Sequence, residues 1–253
     1  MAAHGARAAW ILRFVYPRAA PRKRRRLARW WARKLLAILG VRLRVSGKPP
    51  PAYGEAAMIA ANHVSWLDIF AITSVRPARF IAKSEIRGWP VAGWIADRAG
   101  TLFVQRARRH DTARINARVH EVLAQGDCVG LFPEGTTTEG GRLLPFHTSL
   151  FEAAIANSAT IHPAAVRYEN ADGSPCADFA YAGETTFLES LARIVARRGV
   201  VVHVDFGEAI GPADARGRRD AARHAHARIA TLLRLDPRDN PPGRARDPRA
   251  ALR

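Results

Sequence analysis

The residues with the clearest chemical potential lie in one short stretch, NHVSWLD at positions 62–68, which follows an apolar segment. A histidine acts as a general base near neutral pH when a carboxylate accepts from one ring nitrogen and leaves the other free. On one straight helix His63 and Asp68 would lie about 140° apart, since each residue turns about 100°. We therefore expect His63 in a turn and Asp68 in the first turn of a helix, where the two side chains can meet.

A structural interpretation of Asp68 stands beside the catalytic one. Ser65 and Asp68 have the spacing of a capping box, in which the two side chains bond backbone N–H groups at the start of a helix. The two interpretations are compatible, because one carboxylate can close a helix and orient a histidine. Taken alone, this motif is compatible with a catalytic or a structural role for His63, since a single motif match is only a hypothesis.

The second candidate motif is GTLFVQR at positions 100–106. An apolar strand would deliver Arg106 to its carboxyl end, where a guanidinium group binds phosphate in a forked geometry. Arg108 and Arg109 follow closely, so a solvated run of arginines is the alternative.

The third motif is FPEGT at positions 132–136, where a buried strand runs into a tight turn. Backbone N–H groups around Gly135 and Thr136 can hold an anion. Glu134 cannot bind phosphate itself, and we expect it to hold a basic residue such as Arg106 or to orient the loop. The alternative is an ordinary turn in which threonine side chains cap backbone groups.

Strand and helix patterns alternate along most of the chain, which predicts an α/β fold with a largely parallel central sheet flanked by helices. The predicted strands are 41–46, 56–62, 79–83, 100–105, 128–133, 160–168 and 200–207. The predicted helices are 66–75, 86–99, 111–125, 148–157, 185–198 and 218–234. We expect three regions: a basic segment 1–40, a catalytic domain 41–235 and a flexible tail 236–253.

The positive charge is concentrated at the beginning of the chain. The formal net charge is +18, yet the first 50 residues carry 14 Lys and Arg and no acidic residue precedes Glu55. Two short helices are predicted over 8–39, broken around Pro17–Pro21. In the second, the apolar residues Leu27, Trp30, Trp31, Leu35 and Ile38 recur at helical spacing, with Arg22, Arg25, Arg26, Arg29 and Arg33 largely opposite.

A basic helix with tryptophans on its apolar side suits the headgroup region of an anionic membrane, where we expect this segment to lie. Nucleic acid is a poor partner for so many aliphatic residues, and no apolar run reaches the roughly 20 residues of a spanning helix. The alternatives are an amphipathic helix packed on its own domain and a mitochondrial presequence, although the latter is usually rich in serine.

The three motifs occur in the order that is typical of the glycerophospholipid acyltransferases, and the chain most resembles the 1-acyl-glycerol-3-phosphate acyltransferases. Their H-x4-D block is matched by NHVSWLD, their G-x-x-F-[IV]-x-R block by GTLFVQR and their F-P-E-G-T block by FPEGT. A fourth block, an apolar strand ending around a proline, is matched at 161–166. The resemblance covers residues 45–210.

This resemblance implies transfer of a fatty acyl group from acyl-CoA or acyl carrier protein to lysophosphatidic acid, without a metal or cofactor. His63 and Asp68 would be catalytic, while Lys83, Arg106, Glu134, Gly135 and Thr136 would bind substrate. It implies a peripheral or monotopic enzyme on the cytoplasmic face of the inner membrane.

One position departs from the family pattern. Thr137 stands where the family often has an arginine after F-P-E-G-T, so one cation for the acceptor phosphate is missing. Arg106, and Lys83 in the segment AKSE, are the residues that could supply this charge instead. Another lyso-lipid, such as lyso-ornithine lipid or a lysophospholipid with a larger headgroup, is therefore the alternative acceptor. A non-catalytic nucleic-acid-binding protein is a remote alternative.

Other types of chemistry find no support in the sequence. There is no G-x-S-x-G elbow, no P-loop, no dinucleotide-binding motif and no metal-ligand cluster. Cys128 and Cys176 are expected to be ordinary thiols, with one disulfide as the alternative. We expect His224 and His226 to be solvated on a polar helix.

Overall fold

The computed structural model describes residues 10–52, 54–88, 93, 96–97, 100–104 and 109–236. Within them seven strands form one sheet in the order β1-β7-β6-β2-β5-β3-β4. All neighbours are parallel except β6 and β7, which are antiparallel. The strands are β1 Arg42–Ser46, β2 Ala57–Ala61, β3 Arg79–Lys83, β4 Leu102–Val104, β5 Cys128–Leu131, β6 Thr160–Glu169 and β7 Val201–Phe206.

Helices cover both faces of this sheet, so the predicted α/β architecture is confirmed. The α-helices are α1 Pro21–Ile38, α2 Asp68–Val75, α3 Arg109–Ala124, α4 Glu152–Ala156, α5 Phe187–Ala196 and α6 Arg218–Leu232. One core cluster joins the sheet to α1, α2 and α5 through Leu36, Ile72 and Ile194. The other joins it to α3, α4 and α6.

Shorter helical turns connect these elements. A π-helical turn covers Ile11–Val15, and 3₁₀ turns cover Tyr16–Arg18, Ser84–Gly88, Thr148–Phe151, Ala177–Phe179 and Pro212–Asp214. The predicted helix 148–157 is thus a 3₁₀ turn followed by α4. Most of the predicted helix 86–99, and the tail from residue 237 onwards, lie outside the described residues.

Strand β2 is central because it is apolar on both faces, as parallel strands covered by helices usually are. All five of its residues are buried, with Ile59 in one core cluster and Met58 in the other. β2 pairs with β5, and Ala60 lies opposite Leu131. Since parallel neighbours end at the same edge of a sheet, the loops beginning at residues 62 and 132 leave side by side.

Helix α1 is the second of the two helical segments expected before β1, and the break between them lies at residues 19–20. It runs for 18 residues from Pro21, whose fixed φ suits the first helical position. It ends in a Schellman motif, in which the N–H of Val41 donates to the Leu36 carbonyl at 2.9 Å. Gly40 makes this turn with a φ of +70°, a conformation that residues with a Cβ rarely adopt.

The inner side of α1 packs on the domain, as expected for an amphipathic helix that covers its own core. Ala32 and Leu36 are buried, and Trp31 meets the edge of Phe70 with ring centroids 5.3 Å apart. Arg29 and Arg33 donate through Nε to the Ser74 carbonyl at 3.1 and 2.9 Å. Arg25 lies 3.6 Å from Asp127. These arginines therefore contact the domain.

Two smaller expectations are also resolved. His226 is buried against the Phe146 ring, so the expectation of a solvated side chain is wrong; the small alanines of α6 let this helix approach the core closely. Cys128 and Cys176 are separate buried thiols, and burial raises the pKa of Cys128 to about 12. Among the described residues, no helix has the length and apolar character needed to cross a membrane.

Candidate active site

His63 and Asp68 meet as the sequence predicts. His63 lies in the turn after β2, and Asp68 is the first residue of α2. Nδ1 of His63 is 2.8 Å from Oδ2 of Asp68. The Asp68 side chain is fully buried, whereas the imidazole keeps 18% of its surface exposed. With Nδ1 donating to the carboxylate, Nε2 carries a lone pair that can accept a proton.

Asp68 also closes the start of α2, so the structural interpretation holds together with the geometry of a catalytic pair. Its Oδ2 accepts from the N–H groups of Val64 and Ser65 at 2.8 and 2.9 Å. The other half of a capping box is displaced by one residue, since the Ser65 hydroxyl accepts from Leu67 N–H at 3.4 Å. The same bonds that begin the helix therefore fix the carboxylate beside the imidazole.

The imidazole plane is held by an aromatic ring. The ring of Phe132 stacks on His63, with centroids 3.8 Å apart and planes inclined by 6°. Phe80 lies behind Phe132 with centroids 5.5 Å apart. The stack restricts rotation of the imidazole, and the bond to Asp68 determines which nitrogen faces outward.

Glu134 binds backbone on both sides of the site. Its Oε1 accepts from His63 N–H at 2.8 Å, and its Oε2 accepts from Leu144 N–H at 2.9 Å. The side chain is almost fully buried, and this burial raises its pKa from 4.5 to about 7, against the effect of the two N–H donors. Of the two roles considered for Glu134, these contacts are those of a residue that orients the loop.

The loop after β5 is tied to the histidine turn by its backbone. Gly135 has a φ of +76°, and its N–H donates to Phe132 at 3.0 Å. Thr138 N–H donates to the His63 carbonyl at 2.8 Å. These two N–H groups are occupied within the protein. Thr136 itself is exposed beside them.

Thr137 serves as a backbone anchor. Its hydroxyl donates to the Tyr181 carbonyl, and Tyr181 N–H donates to the Val64 carbonyl at 2.8 Å. The side chain at the departing position thus links the FPEGT loop to the segment before α5. It contributes no positive charge to the site.

Two of the predicted substrate-binding residues are the cations Lys83 and Arg106. Lys83 is the last residue of β3 and pairs with Val104, so its backbone lies at the edge where the other motifs emerge. Its side chain, and all of Arg106, lie outside the described residues. Their role in substrate binding stays a prediction.

Two contacts of the site were not foreseen from the sequence. Tyr168 on β6 donates its hydroxyl to Oδ1 of Asp68 at 2.6 Å. Asn62 fixes β6 beside the turn, since its side chain donates to Val166 O at 2.9 Å and accepts from Val166 N–H at 2.7 Å. Asn62 could have been noticed in the sequence, because it directly precedes His63. Tyr168 could not, because it lies 100 residues from Asp68 in the sequence.

Known acyltransferases are similar to this chain over most of its length. The sequence model described as Acyltransferase matches residues 42–167. A lyso-ornithine lipid O-acyltransferase of Pseudomonas aeruginosa is 38% identical over 83% of this chain and 79% of its own length. A 1-acyl-sn-glycerol-3-phosphate acyltransferase of Neisseria meningitidis is 42% identical over 74% of this chain and 72% of its own length.

A crystal structure of the same fold is known. The 1-acyl-sn-glycerophosphate acyltransferase of Thermotoga maritima superposes with a TM-score of 0.63 at 17% identity. The match covers 91% of this chain and 92% of that one. It supports the α/β fold described above.

The raised pKa of Glu134 predicts a pH-dependent stability. In the folded protein this carboxyl keeps its proton up to about pH 7, against an ordinary value of 4.5. The stabilising difference is complete below pH 4.5 and is lost as the pH rises towards 7, with a slope of about 1.4 kcal/mol per pH unit. We expect Glu134→Gln, which does not titrate, to remove this contribution.

The measurement is urea unfolding of wild type and Glu134→Gln at pH 5, 6 and 7. The free energy of unfolding of wild type should fall relative to the variant over this range. Parallel curves for the two proteins would contradict the assignment. Glu139→Gln, at an exposed residue of the same loop, is the control and should follow wild type.

Proposed function

Since this chain belongs to the acyltransferase family, we propose that it transfers a fatty acyl group from an acyl thioester to the free hydroxyl of lysophosphatidic acid. The observation that carries the proposal is the 2.8 Å contact between Nδ1 of His63 and the buried Asp68 carboxylate. This contact leaves Nε2 as the one proton acceptor of a fixed, partly exposed imidazole. The product would be phosphatidic acid.

The proposed chemistry is a direct transfer. Nε2 of His63 takes the proton of the acceptor hydroxyl as that oxygen attacks the thioester carbonyl. Asp68 holds the tautomer and stabilises the imidazolium that forms. When the tetrahedral intermediate collapses, the carbon–sulfur bond breaks and the departing thiolate takes up the proton. Either acyl-CoA or acyl carrier protein would supply this thioester.

Lyso-ornithine lipid is a second candidate acceptor, and the environment of Thr137 favours it. Phosphomonoester recognition calls for cations, and the side chain at 137 is neutral and bound to Tyr181. Relatives named as lyso-ornithine lipid O-acyltransferases are 38% and 35% identical to this chain. An acceptor without a phosphomonoester would have no need of an arginine at this position.

We also propose that the protein works at an anionic membrane on the cytoplasmic side. Three large aromatic residues before β1 are exposed: Trp10 by 58%, Phe14 by 50% and Trp30 by 38%. Lys23 and Lys34 are exposed on the same helix as Trp30. Aromatic rings among cations suit the boundary between lipid headgroups and acyl chains.

The first prediction from this proposal concerns the reaction itself. A labelled acyl thioester would be offered with lysophosphatidic acid, lysophosphatidylcholine and lyso-ornithine lipid, to wild type and His63→Ala in parallel. We expect transfer to lysophosphatidic acid that falls by on the order of a thousandfold or more in the variant. Equal transfer by His63→Ala, or none to any acceptor by wild type, would refute the proposal.

The second prediction concerns the acceptor. Thr137→Arg should lower the KM for lysophosphatidic acid by about fivefold, because a charge-assisted hydrogen bond to phosphate is gained. The KM for lyso-ornithine lipid should not fall. Thr137→Val is the matched control, since it removes the bond to Tyr181 without adding charge. An equal change of KM for both acceptors would show that residue 137 does not take part in headgroup recognition.

The third prediction concerns the membrane. Replacing Trp10, Phe14 and Trp30 together by serine should reduce binding to vesicles containing phosphatidylglycerol by at least about tenfold, because buried aromatic area is lost. Sedimentation with the vesicles measures the bound fraction. Val45→Ser, at an exposed apolar residue of the edge strand β1, is the control. Unchanged binding of the triple variant would exclude these rings as the anchor.

A further inference from the structure

Asp68 receives its hydrogen bonds very unevenly. Oδ2 accepts three of them, from the imidazole of His63 and from two backbone N–H groups of the turn. Oδ1 accepts one, from the hydroxyl of Tyr168 at 2.6 Å. Because the carboxylate is fully buried, no water can replace that single donor without moving the structure.

Tyr168 is bound to remain a donor. Its burial, and then the charge of Asp68, raise the pKa of the phenol well above its usual range, so the hydroxyl keeps its proton. Hydrogen bonds thus connect Tyr168 through Asp68 to His63.

The phenol is held by a strand other than the one that leads into the turn with the catalytic pair. Tyr168 belongs to β6, and the paired bonds between Asn62 and Val166 fix that strand against the end of β2. The Phe179 ring packs on Tyr168 with centroids 5.1 Å apart. Rotation of the Asp68 carboxylate would pull Oδ1 away from a donor that cannot follow it.

We propose that Tyr168 is a positioning residue of the acyl-transfer reaction. It locks the rotation of the Asp68 carboxylate and supports its charge, and through Asp68 it keeps the proton of His63 on Nδ1. Without the hydroxyl, Oδ1 is a buried carboxylate oxygen with no donor. The carboxylate is then able to rotate, and the imidazole loses its fixed tautomer.

The test is Tyr168→Phe, which removes one hydroxyl and keeps the ring against Phe179. We expect kcat to fall by about 10- to 100-fold, as for other groups that orient a reactive residue through a second one. KM for both substrates should change less than about twofold, since the phenol does not touch them.

A control variant separates positioning from folding. Ser74→Ala also removes a buried hydroxyl of α2, one that donates to Ala71 O at 2.6 Å, and should leave kcat unchanged. Matching effects of Ser74→Ala would mean that any lost hydroxyl suffices, which overturns the proposal.

The double variant Tyr168→Phe with Asp68→Asn gives the sharpest comparison. If Tyr168 acts through Asp68, Tyr168→Phe should lower kcat by less than about twofold in a protein that already carries Asp68→Asn. A loss as large as in wild type would show that Tyr168 acts independently of Asp68 and would overturn the proposal.

This inference rests on the proposed function, so one readout must not require turnover. ¹⁵N NMR of histidine-labelled protein reports the tautomer of His63. Wild type should show the proton on Nδ1, and Tyr168→Phe a mixture of tautomers. An unchanged tautomer would refute the role of Tyr168 even if the enzyme is active. A changed tautomer in a protein that transfers no acyl group would refute only the proposed reaction.

Discussion

The site depends on one constraint, the burial of the Asp68 charge. An ionised carboxylate without partners inside a protein costs several kcal/mol or more. Four donors meet this requirement, and they come from the turn after β2, from the imidazole and from β6. Each donor must therefore arrive at one point in the folded chain. The orientation of the imidazole is a consequence of how the fold accommodates this charge.

The second buried acidic side chain beside His63 is Glu134, and its hydrogen bonds differ from those of Asp68. It has two backbone donors instead of four partners, and its burial raises its pKa to about 7. Asp68 faces the imidazole, whereas Glu134 holds the backbone of the same histidine from the neighbouring strand end. Two acidic residues close to His63 thus have different tasks, because Asp68 bonds its imidazole and Glu134 bonds its backbone N–H.

The sequence predicted those parts of the fold that depend on local pattern. β3 was predicted with its observed bounds, and the meeting of His63 with Asp68 followed from helix geometry. The sequence predicted that α1 is an amphipathic helix but not which surface it contacts. Helical periodicity does not distinguish a helix packed on its own domain from one that lies on lipid. Arg29 and Arg33 lie largely opposite the apolar residues of the helix pattern, yet they donate to the Ser74 carbonyl at the end of α2. Tyr168 could not be inferred, since it reaches Asp68 through pairing between β6 and β2.

The packing of α1 on α2 has a geometric consequence for any lipid substrate. Trp31 and Phe70 join these helices directly, and helices in contact have axes about 8–10 Å apart. Asp68 begins the inner helix of this pair. A bilayer resting on the outer side of α1 would thus lie roughly one helix diameter from the helix that carries the carboxylate. A lyso-lipid would then need to rise only a short way, with its acyl chain still among its neighbours.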